Sequence, residues 1–156
     1  ISGLTALTAG QVAEIVVFDA FSVANTVPVT GGTYSGAVVY NSDVTYNKAL
    51  QGNTNTDTTN AGSVTLDFDT YQNFVLTFTD NVTFANPSTE AVGQSGFIVI
   101  IQDSTGGRTL SLGTDFETES GVSVTLSSAA SATDVIPYIV IASNRILLGT
   151  PLLAFS

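Results

Sequence analysis

The sequence contains no cysteine, no histidine, no methionine and no tryptophan, and only three cationic side chains, Lys48, Arg108 and Arg145. Without cysteine there is no disulfide, no thiol nucleophile and no thiolate zinc site, and the redox compartment is left open. Without histidine, neither a Ser-His-Asp nor a Cys-His site can be assembled, and the commonest general base is missing. Three cations against 13 acidic residues leave a net charge of −10. No cationic track can therefore neutralise phosphates and release counterions, so neither nucleic acid nor an anionic membrane is expected as a partner. The longest apolar runs, Phe97 to Ile101 and Ile136 to Ala142, fall far short of the roughly 20 residues that span a bilayer as a helix. No charged start followed by a long apolar run marks a secretory leader.

What is present points to strands. Charged residues make up 10% of the chain and hydrophobic residues 44%, against about a quarter charged in an ordinary soluble domain. Much of the surface must be Thr, Ser, Asn and Gly, or be covered by another chain. Val, Ile, Thr, Phe and Tyr dominate, and Gly or Asn-Asp pairs interrupt the chain at short intervals. Glu14 to Phe21 reads as a strand that ends before Asn25, Pro28 and Gly31-Gly32, and Tyr34 to Tyr46 as a strand pair. Gln51 to Gly62 has almost no apolar residue to bury and is expected as an exposed, mobile loop. Beyond it, Val64, Leu66 and Phe68 alternate with polar residues, and Phe74, Leu76 and Phe78 alternate with Val75, Thr77 and Thr79, the period-two pattern of a strand. Asp80-Asn81 is expected to turn the chain before Val82-Thr83-Phe84.

Phe97 to Ile101 and Val135 to Ile141 are apolar on both faces, as in strands covered on both sides. Ser104 to Gly107 reads as a hairpin connection, with Gly106 and Gly107 able to take positive φ and Arg108 pairing with Asp103. Thr109 to Leu112 would return antiparallel. Val122, Val124 and Leu126 form a further alternating strand, and Arg145 to Leu148 closes the sheet. The fold class is therefore all-β, an antiparallel, jelly-roll-like β-sandwich. Because so much two-sided apolar surface exceeds what one small sandwich can hide, a subunit interface is expected through Phe97, Val99, Ile101, Ile136, Tyr138 and Val140, with a homotrimer as the assembly.

Reactive sites are hard to find. GQSGF lacks the second glycine of a nucleophile elbow and reads as a turn entering the strand. DSTGGR lacks the lysine and spacing of a phosphate-binding loop. Asp67 with Asp69, and Asp115 with Glu117 and Glu119, could offer oxygens to calcium or a carboxylate pair to a glycoside, yet neither has calcium-loop spacing, and a solvated strand face is the simpler reading. No catalytic residue, metal or cofactor is expected. Tyr34, Tyr40, Tyr46 and Tyr71 could stack on a host sugar, though core or interface packing is the commoner fate of such rings.

The segments NVTFANPS, GQSGFIVIIQDSTGGRTLSLGTDF and TDVIPYIVIASNRILLG together resemble a module found in tailed-phage fibre, spike and other virion structural proteins. The resemblance rests on Asn81, Thr83, Asn86, Pro87, Gly93 to Gly96, Gln102, Asp103, Gly106 to Thr109, Asp134 and Val135. The opening ISGLTALTAG is similar to the start of many phage virion proteins. This resemblance implies a non-enzymatic structural protein at the surface of the phage particle, as a capsid decoration, head fibre or short tail fibre. Its implied partners are copies of itself and other virion proteins of capsid or tail, with a host-surface glycan as the alternative. It also implies a division into residues 1–30, an extended arm docking on the virion through Leu4, Leu7 and Val12, and residues 31–156, the β-sandwich body.

Overall fold

The computed structural model describes Gly36 and residues 38–155. The strand expected over Glu14 to Phe21 and the docking residues Leu4, Leu7 and Val12 lie outside the described residues. The chain divides into two units, Ile1–Thr45 and Tyr46–Ser156. The described residues 38–46 form no strand, which corrects the strand pair expected there. Val38, Val39, Tyr40, Val44 and Tyr46 are all exposed, so none of these side chains has a buried face to hold a strand.

The second unit contains β1 (Thr54–Thr65), β2 (Asn73–Ala85), β3 (Ser95–Gln102), β4 (Leu110–Leu112), β5 (Phe116–Glu117), β6 (Thr133–Ala142), β7 (Arg145–Leu148) and β8 (Leu152–Phe155), with a single 3₁₀ turn at Glu119–Gly121. All strands belong to one 8-stranded sheet in the order β1-β2-β3-β6-β7-β5, with β4 beside β2 and β8 beside β6. Among the described residues no helix is long and apolar enough to cross a membrane. The protein is thus all-β, as expected, but its strand pairing is not that of an antiparallel sandwich. β1 with β2, β2 with β3, β2 with β4, and β5 with β7 are parallel, and only β6 pairs antiparallel, with β3, β7 and β8.

The parallel register requires the sheet to curl. Thr54 lies opposite Asn73 and Thr65 opposite Ala85, so residues 66–72 must carry the chain from one end of the pair back to the other. Eight Cα steps reach about 29 Å at most, whereas a straight strand from Asn73 to Ala85 would run about 40 Å. The strands must therefore bend, and the bend lies where the β1–β2 register shifts, around Asn60 in β1 and between Phe78 and Val82 in β2. At the same place β2 changes its other neighbour, from β3 along Phe74 to Phe78 to β4 along Val82 to Phe84. The chain makes three stacked passes, each turning one corner.

This geometry explains three departures from the sequence reading. Asp80-Asn81 does not end a strand, because β2 passes through it as a corner with both residues exposed. Asp103 to Thr109 is not a hairpin, because the chain turns the same corner on the third pass and β4 continues parallel to β2. Most of Gln51 to Gly62 is strand, not mobile loop. Its inward register positions, Asn55, Asp57, Asn60 and Gly62, sit against Phe74, Leu76, Phe78 and Val82 of the next pass. They are polar or small because β1 is the edge strand among the described residues, where Asp57 and Gly62 stay exposed and only Asn60 is buried, as the polar outer faces of terminal repeats in stacked folds are. The buried Asn60 Nδ2 donates to the carbonyls of Asp57 and Thr77, each at 3.1 Å, so the polar cap is satisfied.

Behind the cap the core is aromatic. Phe68 packs edge-on against Phe74 and Tyr138 at centroid distances of 5.1 and 5.2 Å, and Phe84 bridges Phe78 at 6.2 Å and Phe116 at 5.8 Å. Each such burial contributes about 1.5–3 kcal/mol. Val124 and Leu126 pack against this core, but residues 122–126 are an extended strap outside the sheet, which corrects the strand expected there.

Candidate functional site

The residues that carry the virion-protein resemblance converge on the corners. Gln102, 2% exposed, clamps the Arg108 peptide at both ends: its Nε2 donates to the Arg108 carbonyl at 2.9 Å and its Oε1 accepts from the Arg108 amide at 2.8 Å. Asp103 Oδ1 accepts from the amides of Thr105 and Gly106 at 3.0 and 2.9 Å, and Asp103 Oδ2 takes the Arg108 guanidinium at 2.7 Å. The Arg108 side chain bonded to it holds the Asp103 carboxyl down at about 2. Gly106 and Gly107 have φ of +75° and +74°, a region where side chains strain the backbone. The hairpin-turn residues Asp103, Gly106, Gly107 and Arg108 are thus brought together as expected, in a corner and not in a hairpin.

The other motif side chains act in the same way. Asn81 Oδ1 accepts the Thr109 amide at 3.0 Å, and Asn86 Oδ1 accepts the Asp115 amide at 3.1 Å, each tying β2 or its end to the third pass. Gln94 Nε2 donates to the carbonyls of Phe68 and Tyr71, so GQSG is a turn entering β3. Asp134, 1% exposed, accepts from the amide and hydroxyl of Ser127, both at 2.7 Å, and from the Ala154 amide at 2.9 Å. It fastens both the strap and β8 to β6.

The acidic clusters do not gather. Asp67 Oδ1 accepts the Asp69 and Thr70 amides within its own turn, Glu117 binds Arg145 at 2.6 Å, and Asp115 is buried while Glu119 is exposed. Among the described residues no group of three or more His, Cys, Asp or Glu is placed to hold a metal. Of the tyrosines considered for sugar stacking, Tyr40 and Tyr46 are exposed, Tyr71 packs on the core, and Tyr34 lies outside the described residues.

The six residues expected at a subunit interface split between two faces. Ile136, Tyr138 and Val140 are 0%, 4% and 1% exposed within a single chain. They belong to the core, which corrects their assignment. β6 alternates, so they point inward and their neighbours outward. Tyr138 is buried but donates its hydroxyl to the Gln72 carbonyl at 2.7 Å, and burial pushes its phenol up to about 12. Phe97, Val99 and Ile101 lie on the outward face, with Phe97 exposed.

Cross-strand partners share a face, so the register extends this outward surface across the sheet. Val99 joins Val75, Val135 and Leu152 in one row, Phe97 lies beside Pro137, and Ile101 stands beside Thr77 and Thr133, which faces Phe155. The β8 residues were not anticipated. The available signal was the apolar LLAF run that follows the strand taken to close the sheet.

With this geometry in view, residues 65–141 match a family model described as "Putative phage tail fibre C-terminal domain". The chain resembles a phage tail fibre. The matched stretch runs from the last residue of β1 into β6 and contains all the corner residues described above except the β1 cap. No curated protein and no solved structure matches the chain. The tail-fibre similarity points to a structural role in the virion and to association with other virion proteins.

Proposed function

We propose that this chain is a structural, non-enzymatic module of a phage tail fibre, displayed at the particle surface and working by folding, assembling with copies of itself as a homotrimer, and joining other virion proteins. The observation that carries the reading is the fate of the motif side chains. Gln94, Gln102, Asp103 and Asp134, which in another protein could bind or react, are spent on backbone groups of the same chain. Side chains spent on holding corners support a structural reading over a catalytic one. No cofactor enters this function.

The test is labelling of intact phage particles with a gold-tagged antibody raised against the purified protein. Signal at the tail is expected. Signal confined to heads would replace the tail-fibre reading with capsid decoration.

A further inference from the structure

The outward face of β2, β3, β6 and β8 has no partner among the described residues. Phe97, Leu152, Phe155 and Ile139 are 52%, 56%, 51% and 43% exposed. With about 200 Å² for a full Phe side chain and somewhat less for Leu or Ile, these four leave about 375 Å² of apolar surface. The half-buried Val75, Val99, Ile101, Val135 and Pro137 raise it to about 550 Å², the upper end of the largest patch on a typical monomer. With Asn73, Thr77 and Thr133 at its edges, the face approaches the roughly 800 Å² per partner of a standard interface.

Charge narrows the choice of occupant. Not one of the rows through Phe97, Val99 and Ile101 contains a charged side chain, in a chain whose net charge is −10. A basic partner would find no carboxylate here. Two of the three cations are already held in ion pairs, Arg108 with Asp103 and Arg145 with Glu117, so acidic copies cannot meet through complementary charge. They can meet where neither carries charge, because like charges then stay at the rim, where salt screens them.

From this we infer that the outward face of β3, β6 and β8 is a homotypic interface, covered in the proposed homotrimer by the same faces of the other two copies of this chain. Sheets pack face to face about 10 Å apart, with side chains of the two inner faces interdigitating. The sheet-on-sheet packing anticipated within one chain is then formed between chains. The inference rests on the proposed structural function and specifies its partner and surface.

The test compares the full chain with Phe97→Glu/Leu152→Glu by light scattering at micromolar concentration. Both side chains are more than half exposed, so folding should be kept, as far-UV circular dichroism would verify. The parent is expected as an oligomer and the double variant at the 16.1 kDa of one chain. Val92→Glu, on the connection before β3 and 69% exposed, should assemble like the parent. A monomeric parent, or a double variant that assembles as the parent does, overturns the inference. If the double variant unfolds, Ile139→Glu alone is read by the same two outcomes. Gold label at the tail with a monomeric protein would remove this interface and leave the tail-fibre function standing; an oligomer dissolved by the substitutions but labelled on heads would do the reverse.

Discussion

Replacing Gln102 by Leu tests whether the motif residues hold the fold. Leu fills nearly the same volume, so the core is not emptied. The change removes both bonds to the Arg108 peptide, at 2.9 and 2.8 Å, from a side chain that is 2% exposed. A buried donor or acceptor left unpaired costs about 1–3 kcal/mol, and the Arg108 N–H and C=O together should cost about 2–4 kcal/mol. For a folded unit of this size, 1 kcal/mol corresponds to roughly 3–5 °C in Tm. Q102L should therefore melt about 6–20 °C below the parent, measured by circular dichroism at one fixed protein concentration because assembly shifts Tm by mass action. Gln72→Leu is the matched control. Gln72 also donates to a carbonyl, that of Ser95 at 3.0 Å, but it is exposed, so water can replace the bond and the loss should be about 0.5 kcal/mol. If Q102L and Q72L melt within 2 or 3 °C of each other, roughly the resolution this scale allows, the buried clamp is not stabilising the corner and the structural interpretation of the motif fails.

Two further outcomes follow from the same corner. Asp103 is held at about 2 by Arg108, below its ordinary value of 3.8; a depressed carboxyl favours the fold above its unfolded pKa and loses that contribution as pH falls toward its folded value. Acid titration of Tm should thus show a decline between about pH 4 and pH 2 that is smaller in Asp103→Asn, and equal declines in the two proteins would contradict the assignment. Gly106→Ala should destabilise more than Gly107→Ala: both bear the strain of positive φ, about 1–2 kcal/mol, but only at Gly106 would a Cβ meet backbone, Ser128 O at 2.5 Å and Ala130 N at 2.8 Å. Urea midpoints that rank the two substitutions the other way would show that the corner can relax around Gly106.

The features legible in the sequence are those that depend on nearest neighbours. The alternation of Phe74, Leu76 and Phe78 located the buried face of β2, and the apolar runs located β3 and β6. The Asp103–Arg108 pair and the positive φ of Gly106 and Gly107 are also local. What was not legible was which strand lies beside which. A parallel neighbour about 19 to 28 residues away, as Asn73 is from Thr54 and Leu110 from Val82, leaves no turn signature between paired strands. Glycine and Asn-Asp punctuation therefore marked corners as readily as hairpins. The two-sided apolar runs read as strands covered on both faces with all six residues at a subunit interface, whereas alternation splits the six: Ile136, Tyr138 and Val140 fill the core and Phe97, Val99 and Ile101 stand outside it.

The polar composition of β1 was the most misleading signal and has a physical cause that bears on assembly. Stacked passes bury their inward side chains against the passes above and below, so an interior pass must be apolar inside, as Phe74, Leu76, Phe78, Val82 and Phe84 are. A pass with nothing stacked beyond it gains by being polar inside, provided the polar groups find backbone partners, as Asn60 does with Asp57 and Thr77. Among the described residues Asn55 and Asp57 on β1 therefore mark an end to the coil, since a further apolar pass laid on them would bury a carboxylate without a cation. The apolar rows on the outward face of β3, β6 and β8, which have no partner among the described residues, are the surface that the homotypic interface inferred above would use.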